Sequence, residues 1–334
     1  MRNYLNLYNL KFFLDLSVKN KLKFILNFIG LKKIISKVIH YLLSFILKTK
    51  IFFLRGIIFD FYKEVSEIIF YSNRHGEKFA LFSNDKIISK EIFVNEEFDF
   101  VKIIKTLNYL NKKNKVKNLY DIGANIGSIC IPAVKRNLVK TAFAVEPVKK
   151  NFELLKVNVI LNNLEDKIKI YNYALNSDDD QDLDIELSND NFGDHRVRLQ
   201  KSESNLYDEH DRKIEKVKSK KFDTLFQNLN RQKDLVYIDA QGFEPIILAG
   251  AQNLIDSKTP IVIEFWPYSL KRNNLYGQMR KIIEKFKYFA DLSNNEIVLT
   301  KINKESLDDL FLNWGEEKKG KTALFTDLLL LHNY

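Results

Sequence analysis

Apolar and polar positions follow two different rhythms along this chain, and the change of rhythm divides it. Up to about residue 75 apolar residues recur every three or four positions, as amphipathic helices require. Residues 31–48 are the clearest case. Lys33, Lys37, His40, Ser44 and Lys48 fall on one face, and Leu31, Ile34, Ile35, Val38, Leu42 and Phe45 on the other. Residues 76–117 read as a lead-in, with strands at 78–82 and 91–94 and a helix over 98–110. From Asn118 to the last residue, short apolar runs alternate with helical stretches, the pattern of βαβ units around a parallel sheet. Strands are predicted at 118–122, 141–145, 168–174, 234–239 and 260–265, with helices at 127–137, 149–161, 244–255 and 276–286. Two further strands, at 296–301 and 323–331, would form an antiparallel edge.

The polar stretch 176–221 interrupts this alternation. Its two alternating pieces, 183–187 and 196–199, predict a β-hairpin. Long connections at the carboxyl ends of strands often carry substrate contacts. A solvated loop is the competing reading.

Composition adds bounds. A hydrophobic content of 46% with 5 Pro and 11 Gly is that of a globular chain. The single cysteine, Cys130, excludes an intramolecular disulfide and a Cys-rich zinc site, and fits a reducing compartment. Residues 1–60 hold 11 Lys and Arg against two acids, so nearly all of the net charge of +10 sits there. The basic helix at 31–48 could lie on an anionic membrane surface, or pack its apolar face on the core or on a second subunit. No N-terminal run reaches the ~18 uncharged residues of a spanning helix, and no secretory leader is evident. A cytoplasmic protein is expected, with peripheral contact at the cytoplasmic membrane face through residues 1–60 as an open reading. The near-neutral remainder and the lack of a nucleic-acid motif speak against nucleic acid as a partner.

Candidate chemistry begins where the first strand of the repeat ends, in Asp121-Ile122-Gly123-Ala124-Asn125-Ile126-Gly127. Gly123 permits a tight turn beside a ligand, and Gly127 allows close packing at the helix start. Glu146 ends the second strand 19 residues later, where a carboxylate can accept both ribose hydroxyls of an adenosine. Tyr173 and Ala174 end the third, where an adenine ring would lie. A dinucleotide would need Gly-x-Gly-x-x-Gly, and the middle glycine is missing. The Asp121 carboxylate would also repel a pyrophosphate on the helix N-terminus. It suits S-adenosylmethionine, which carries an amino group and no phosphate.

The same residues carry a resemblance. The turn at 121–127, Ala144-Val145-Glu146-Pro147, Asn151-Phe152-Glu153-Leu154-Leu155, Asn158, Phe222-Asp223-Thr224-Leu225, Ile238-Asp239-Ala240-Gln241-Gly242-Phe243-Glu244 and Ala249-Gly250-Ala251 together resemble the FkbM family of methyltransferases over residues 118–264. The resemblance implies a Rossmann-like class I methyltransferase: a mostly parallel seven-stranded sheet in the order 3-2-1-4-5-7-6, with helices on both faces and here an N-terminal helical extension. It implies S-adenosyl-L-methionine as cofactor and O-methylation of a sugar, glycan or secondary-metabolite acceptor. It also implies cofactor contacts at Asp121, Gly123, Asn125, Gly127 and Glu146, with Ala124 inside the turn and Ala174 at the adenine. Gln241 stands where many members have Glu. A nicotinamide-dependent oxidoreductase and an inactive methyltransferase-fold module are the alternatives.

Methyl transfer from a sulfonium needs alignment and the removal of one proton. Asp239, at the end of the fourth strand, is the first candidate base, against a plain helix-capping role. Glu264, ending the fifth strand, could bind the acceptor or pair with a lysine. His195, in the excursion, could act as base or be a surface-loop histidine. No metal is expected, since Ala240 follows Asp239 and the acids at 178–180 read as a turn.

Overall fold

The computed structural model describes residues 52–199, 211–314 and 325–332, together with Lys37. The helix predicted at 31–48 therefore lies outside the described residues except at Lys37, which is helical and exposed. The chain divides into two units, Met1–Ile58 and Phe59–Tyr334, and the rest concerns the second. Among the described residues no helix is long and apolar enough to cross a membrane.

The second unit begins with a hairpin of β1 (Ile68–Ser72) and β2 (Lys78–Phe82). Residues 91–94, expected as a strand, lie inside helix α1 (Ile88–Asn95). Ile88, Ser89, Ile92 and Phe93 are buried at helical spacing, and Asp85 accepts hydrogen bonds from the Ile87 and Ser89 amides at its start. Helix α2 (Phe100–Leu110) follows.

The core sheet has eight strands among the described residues. In chain order these are β3 (Asn118–Ile122), β4 (Thr141–Val145), β5 (Ile168–Tyr171), β10 (Asp234–Ile238), β11 (Ile261–Phe265), β12 (Tyr288–Asp291), β13 (Thr300–Lys301) and β14 (Thr326–Leu331). They lie in the order β13-β12-β14-β11-β10-β3-β4-β5. With the short edge strand β13 set aside, this is the 3-2-1-4-5-7-6 order implied above. Neighbours from β11 to β5 pair in parallel, and β14 runs against both β11 and β12. The winding moves outward from β3 to β5 and then restarts at β10 on the other side. Right-handed crossovers in the two directions put helices on opposite faces. Strands β10, β11 and β14 are buried along their whole length, which explains their unbroken apolar runs.

Three strands were hidden in the sequence pattern, among them β1, which lies where a helical rhythm was expected. β12 falls at the end of the helix expected over 276–286, which stops at Ile283. The third strand ends at Tyr171, and Ala174–Leu175 forms β6 in a separate four-stranded sheet, ordered β6-β9-β7-β8. In that sheet β7 (Asp182–Leu187) and β8 (Arg196–Val197) form the expected hairpin. Strand β9 (Lys213–Lys220) is lysine-rich and buries only Val217 and Ser219, so its polarity masks it. The helix expected over 244–255 is two, α5 (Glu244–Ala249) and α6 (Gln252–Ser257), divided at Gly250. The helices after β3 and β4 are α3 (Cys130–Lys135) and α4 (Lys149–Leu161).

Candidate active site

The winding reverses between β3 and β10, and open α/β sheets hold ligands at the carboxyl ends of such strands. Here the chain leaves β3 in a turn with Gly123 at φ +86°, Asn125 at +49° and Gly127 at +91°. The amides of Gly123 and Ala124 donate to Val145 O, at 2.9 and 3.0 Å, and the Asp239 amide donates to Ile122 O at 3.0 Å. β10 therefore crosses so close that a Cβ on Gly123 would sit 1.9 Å from Asp239 O. Glycine at 123 is a steric requirement as well as a conformational one.

Two cavities share this turn. The first is lined by Gly123, Asn125, Glu146, Asn151, Ala174 and His195 among others, with an apolar wall from Val145, Leu175, Ile185 and Val197. Glu146 accepts from the Asn125 amide through Oε2 and the Val148 amide through Oε1, both at 2.9 Å. Burial nevertheless pushes its carboxyl up to about 7, against the pull of those amides. Asn125 Nδ2 and Asn151 Nδ2 both donate to Phe192 O, which draws the excursion over the site. Asn151 Oδ1 is buried and meets no donor among the described residues.

The second cavity, about 390 Å³, lies beyond Gly123 and Asp239. It is lined by Asp99, Asp194, Asp239 and Glu264, by Gln241, and by Arg196 set 4.5 Å over the Trp266 ring. Gln241, in the left-handed region at φ +55°, donates Nε2 to Asp239 Oδ1 (2.8 Å) and to Glu264 Oε1 (3.2 Å). Glu264 Oε2 is buried without a hydrogen-bond partner among the described residues. Burial pushes the Asp239 carboxyl up to about 7, and the charge of Asp327 adds to this while Gln241 opposes it. Burial, with Asp239 and Glu244 nearby, also pushes the Glu264 carboxyl up from its ordinary value. Beneath them Lys102 pairs with Asp327 at 2.5 Å and Asp99 at 2.9 Å.

The expected site residues separate into lining and supporting groups. Gly123, Asn125, Glu146 and Ala174 line the first cavity, Glu264 the second, and Asp239 both. Asp121, at the end of β3, and Ala124 and Gly127, in the turn, line neither cavity. Asp121 is fully buried; Oδ2 accepts from the Cys130 amide at 3.1 Å, and burial pushes the carboxyl up to about 7. Asp239 is not the helix cap, because the Ala240 and Gly242 amides donate to Glu244 Oε1. His195 faces the first cavity and not the second. Its Nδ1 accepts from the Ser188 amide at 3.0 Å, and burial pushes its pKa down to about 4. The acids at 178–180 form a turn, Asp179 accepting from the Lys221 amide and the Thr224 hydroxyl. Among the described residues no group of three or more His, Cys, Asp or Glu is arranged to hold a metal. Sequence reading gave no role to Asn151, although it stands in a quoted motif, nor to Gln241. Asp99, Arg196 and Trp266 carried no local signal.

Solved structures share low similarity with the chain. A methyltransferase FkbM from Methylobacillus flagellatus KT matches at 13% identity and a TM-score of 0.37, over 65% of this chain and 44% of that one. The METTL16 MTase domain matches at 12% and 0.39, over 79% and 86%. A TrmK of M. capricolum, solved with its cofactor product S-adenosyl-homocysteine, matches at 15% and 0.33, over 68% of each chain. No curated protein matches the sequence. The methyltransferase FkbM domain matches residues 121–290, which span both the turn at Gly123 and the Asp239 strand end, and the chain belongs to that family.

Proposed function

We propose that the protein moves the methyl group of S-adenosyl-L-methionine to a hydroxyl of a sugar, glycan or secondary-metabolite acceptor, with Asp239 as general base. The observation that carries this reading is the position of Asp239 in the wall of both cavities, where donor and acceptor would meet. The first cavity fits an adenosyl group. Its apolar slot suits the adenine ring, the buried Asn151 Oδ1 suits a ring amino donor, and Glu146 keeps lone pairs for ribose hydroxyls.

The donor, when bound, supplies a methyl group already activated on sulfur. The chain's own task is to orient the acceptor and remove its proton. A carboxyl at about 7 is partly ionised at neutral pH and still basic enough to take a proton as the hydroxyl attacks. Gln241 holds Asp239 and Glu264 in register, and Glu264 offers Oε2 to a neighbouring acceptor hydroxyl. His195, made weakly basic and already engaged by Ser188, is assigned to the wall beside the adenosyl group. The acids around the second cavity disfavour a polyanionic acceptor, which supports the reading without nucleic acid.

Calorimetric titration with S-adenosylhomocysteine, followed by labelled-methyl transfer to a panel of sugars and glycans, tests the reading. Binding and transfer support it. Binding of a reduced nicotinamide dinucleotide instead would replace it with the oxidoreductase, and donor binding without transfer to any acceptor would favour an inactive module. We also propose a cytoplasmic protein with peripheral membrane contact through residues 1–60, supported by their charge. Equal flotation with anionic liposomes after deletion of those residues would refute the contact.

A further inference from the structure

The opposite end of the sheet has a cavity of different character. It lies at the amino ends of β3, β10 and β11 and the carboxyl end of the reversed β14. Its volume is about 300 Å³, at the lower end of the range for small-molecule sites. Lys112 and Lys113 follow α2, Arg231 precedes β10, Lys258 precedes β11, and His332 follows β14. Among the described residues no Asp or Glu lines it. Apolar surface comes from Leu110, Val116, Pro260 and Leu331, and a ring from Tyr109.

We propose that this cavity binds a small organic phosphate, the phosphate among the cations and the carbon body on the apolar wall. Among the described residues Lys112, Arg231 and Lys258 form no ion pair. His332 Nε2 is buried without a hydrogen-bond partner among the described residues, its ring lying 4.4 Å from that of Phe286. Asp256 is the acid whose charge reaches His332, and its Oδ1 already accepts from Gln252. Cations converging from three chain segments repel one another unless an anion joins them, while burial and Lys258 hold the His332 pKa below its ordinary value. Helices α2 and α6 end here, and basic residues favour helix carboxyl ends, which would account for the three lysines. Arg231 and His332 belong to no helix, and helix ends do not account for them. A phosphate can take Lys and Arg donors together with an imidazole N–H. Five residues of strand, roughly 16 Å, separate it from the turn at Gly123, so it is not part of the methyl-transfer site.

The test is calorimetric titration of the full-length protein with glucose 6-phosphate, inorganic phosphate and glucose, and flotation with phosphatidic-acid vesicles. Glucose 6-phosphate should bind more tightly than inorganic phosphate, and glucose should not compete. The double variant Arg231→Gln/Lys258→Gln should bind it about tenfold or more weakly. Asp239→Asn, at the other end of the sheet, should bind it as the unaltered protein does. Unchanged affinity in the double variant overturns the proposal, as does binding to vesicles alone. If the double variant loses thermal stability yet keeps its affinity, the cations serve the helix ends and the proposal falls.

Discussion

The two cavities beside Gly123 are built on opposite principles. In the first, each Glu146 oxygen is held by a backbone amide from a neighbouring turn. In the second, Asp239 and Glu264 are joined by a single side-chain amide, and one Glu264 oxygen has no partner among the described residues. The first is preorganised by its own backbone. The second holds carboxyl groups whose burial is compensated only when something polar enters. A methyltransferase working on one donor and a particular acceptor needs this division: a fixed seat for the donor, and an acidic pocket whose groups stay available for the acceptor.

Substitutions can break or sharpen this contrast. The largest effect is expected for Gly123→Ala, which puts a methyl group against Asp239 O at a positive φ and so damages the wall common to both cavities. A loss of roughly 3 kcal/mol or more is expected, with no measurable S-adenosylhomocysteine binding. A melting temperature near that of the unaltered protein would deny the shared wall. Asp239→Asn should lower turnover by about 10²–10⁴-fold while donor affinity stays within about threefold, because the first cavity's backbone contacts remain. Parallel loss of both would mean that the two cavities are not separable.

The pH dependence of stability follows from the buried carboxyls. Asp121, Glu146 and Asp239 are each pushed up to about 7 from ordinary values of 3.8 or 4.5. The folded ligand-free protein therefore binds more protons than the unfolded chain. Their stabilising contribution is complete below about pH 4 and is lost as pH rises through 7. Thermal melts between pH 5 and 8 should show the decline, and Glu264→Gln, which removes one of the buried carboxyls with a raised pKa, should flatten it. The smallest effect is expected for His195→Ala. Turnover should fall by less than about tenfold, and the limb of its pH profile near 7 should stay in place. Disappearance of that limb would return the proton to His195.

The proposed donor side was legible in the sequence because it is local. A strand, a glycine turn and an acid at the next strand end occupy one continuous stretch from Asn118 to Glu146, and β3 and β4 have the predicted bounds. The proposed acceptor side joins Glu264, which its strand end had suggested, to Asp99, Asp194, Gln241 and Trp266, which no sequence spacing connects to it. His195 was expected near the site, and it is, but burial and the Ser188 amide set its chemistry, and neither follows from its neighbours in sequence. β9 stayed hidden for a related reason. It is an inner strand of the small sheet but buries only Val217 and Ser219, so lysines outnumber the apolar positions that would reveal it.

Asn158, in α4, joins the lead-in to the turn. Its Oδ1 accepts from the Ala80 amide at 2.6 Å, and its Nδ2 donates to Ala80 O and Ile126 O at 3.2 and 2.9 Å. Asn162 repeats the pairing one turn later with Lys78, so two side-chain amides imitate a strand beside β2. The family match starts at residue 121 and holds both Asn158 and the turn it braces, but the backbone that fixes Asn158 comes from some forty residues upstream. A chain trimmed to the matched range would lose that anchor together with β14.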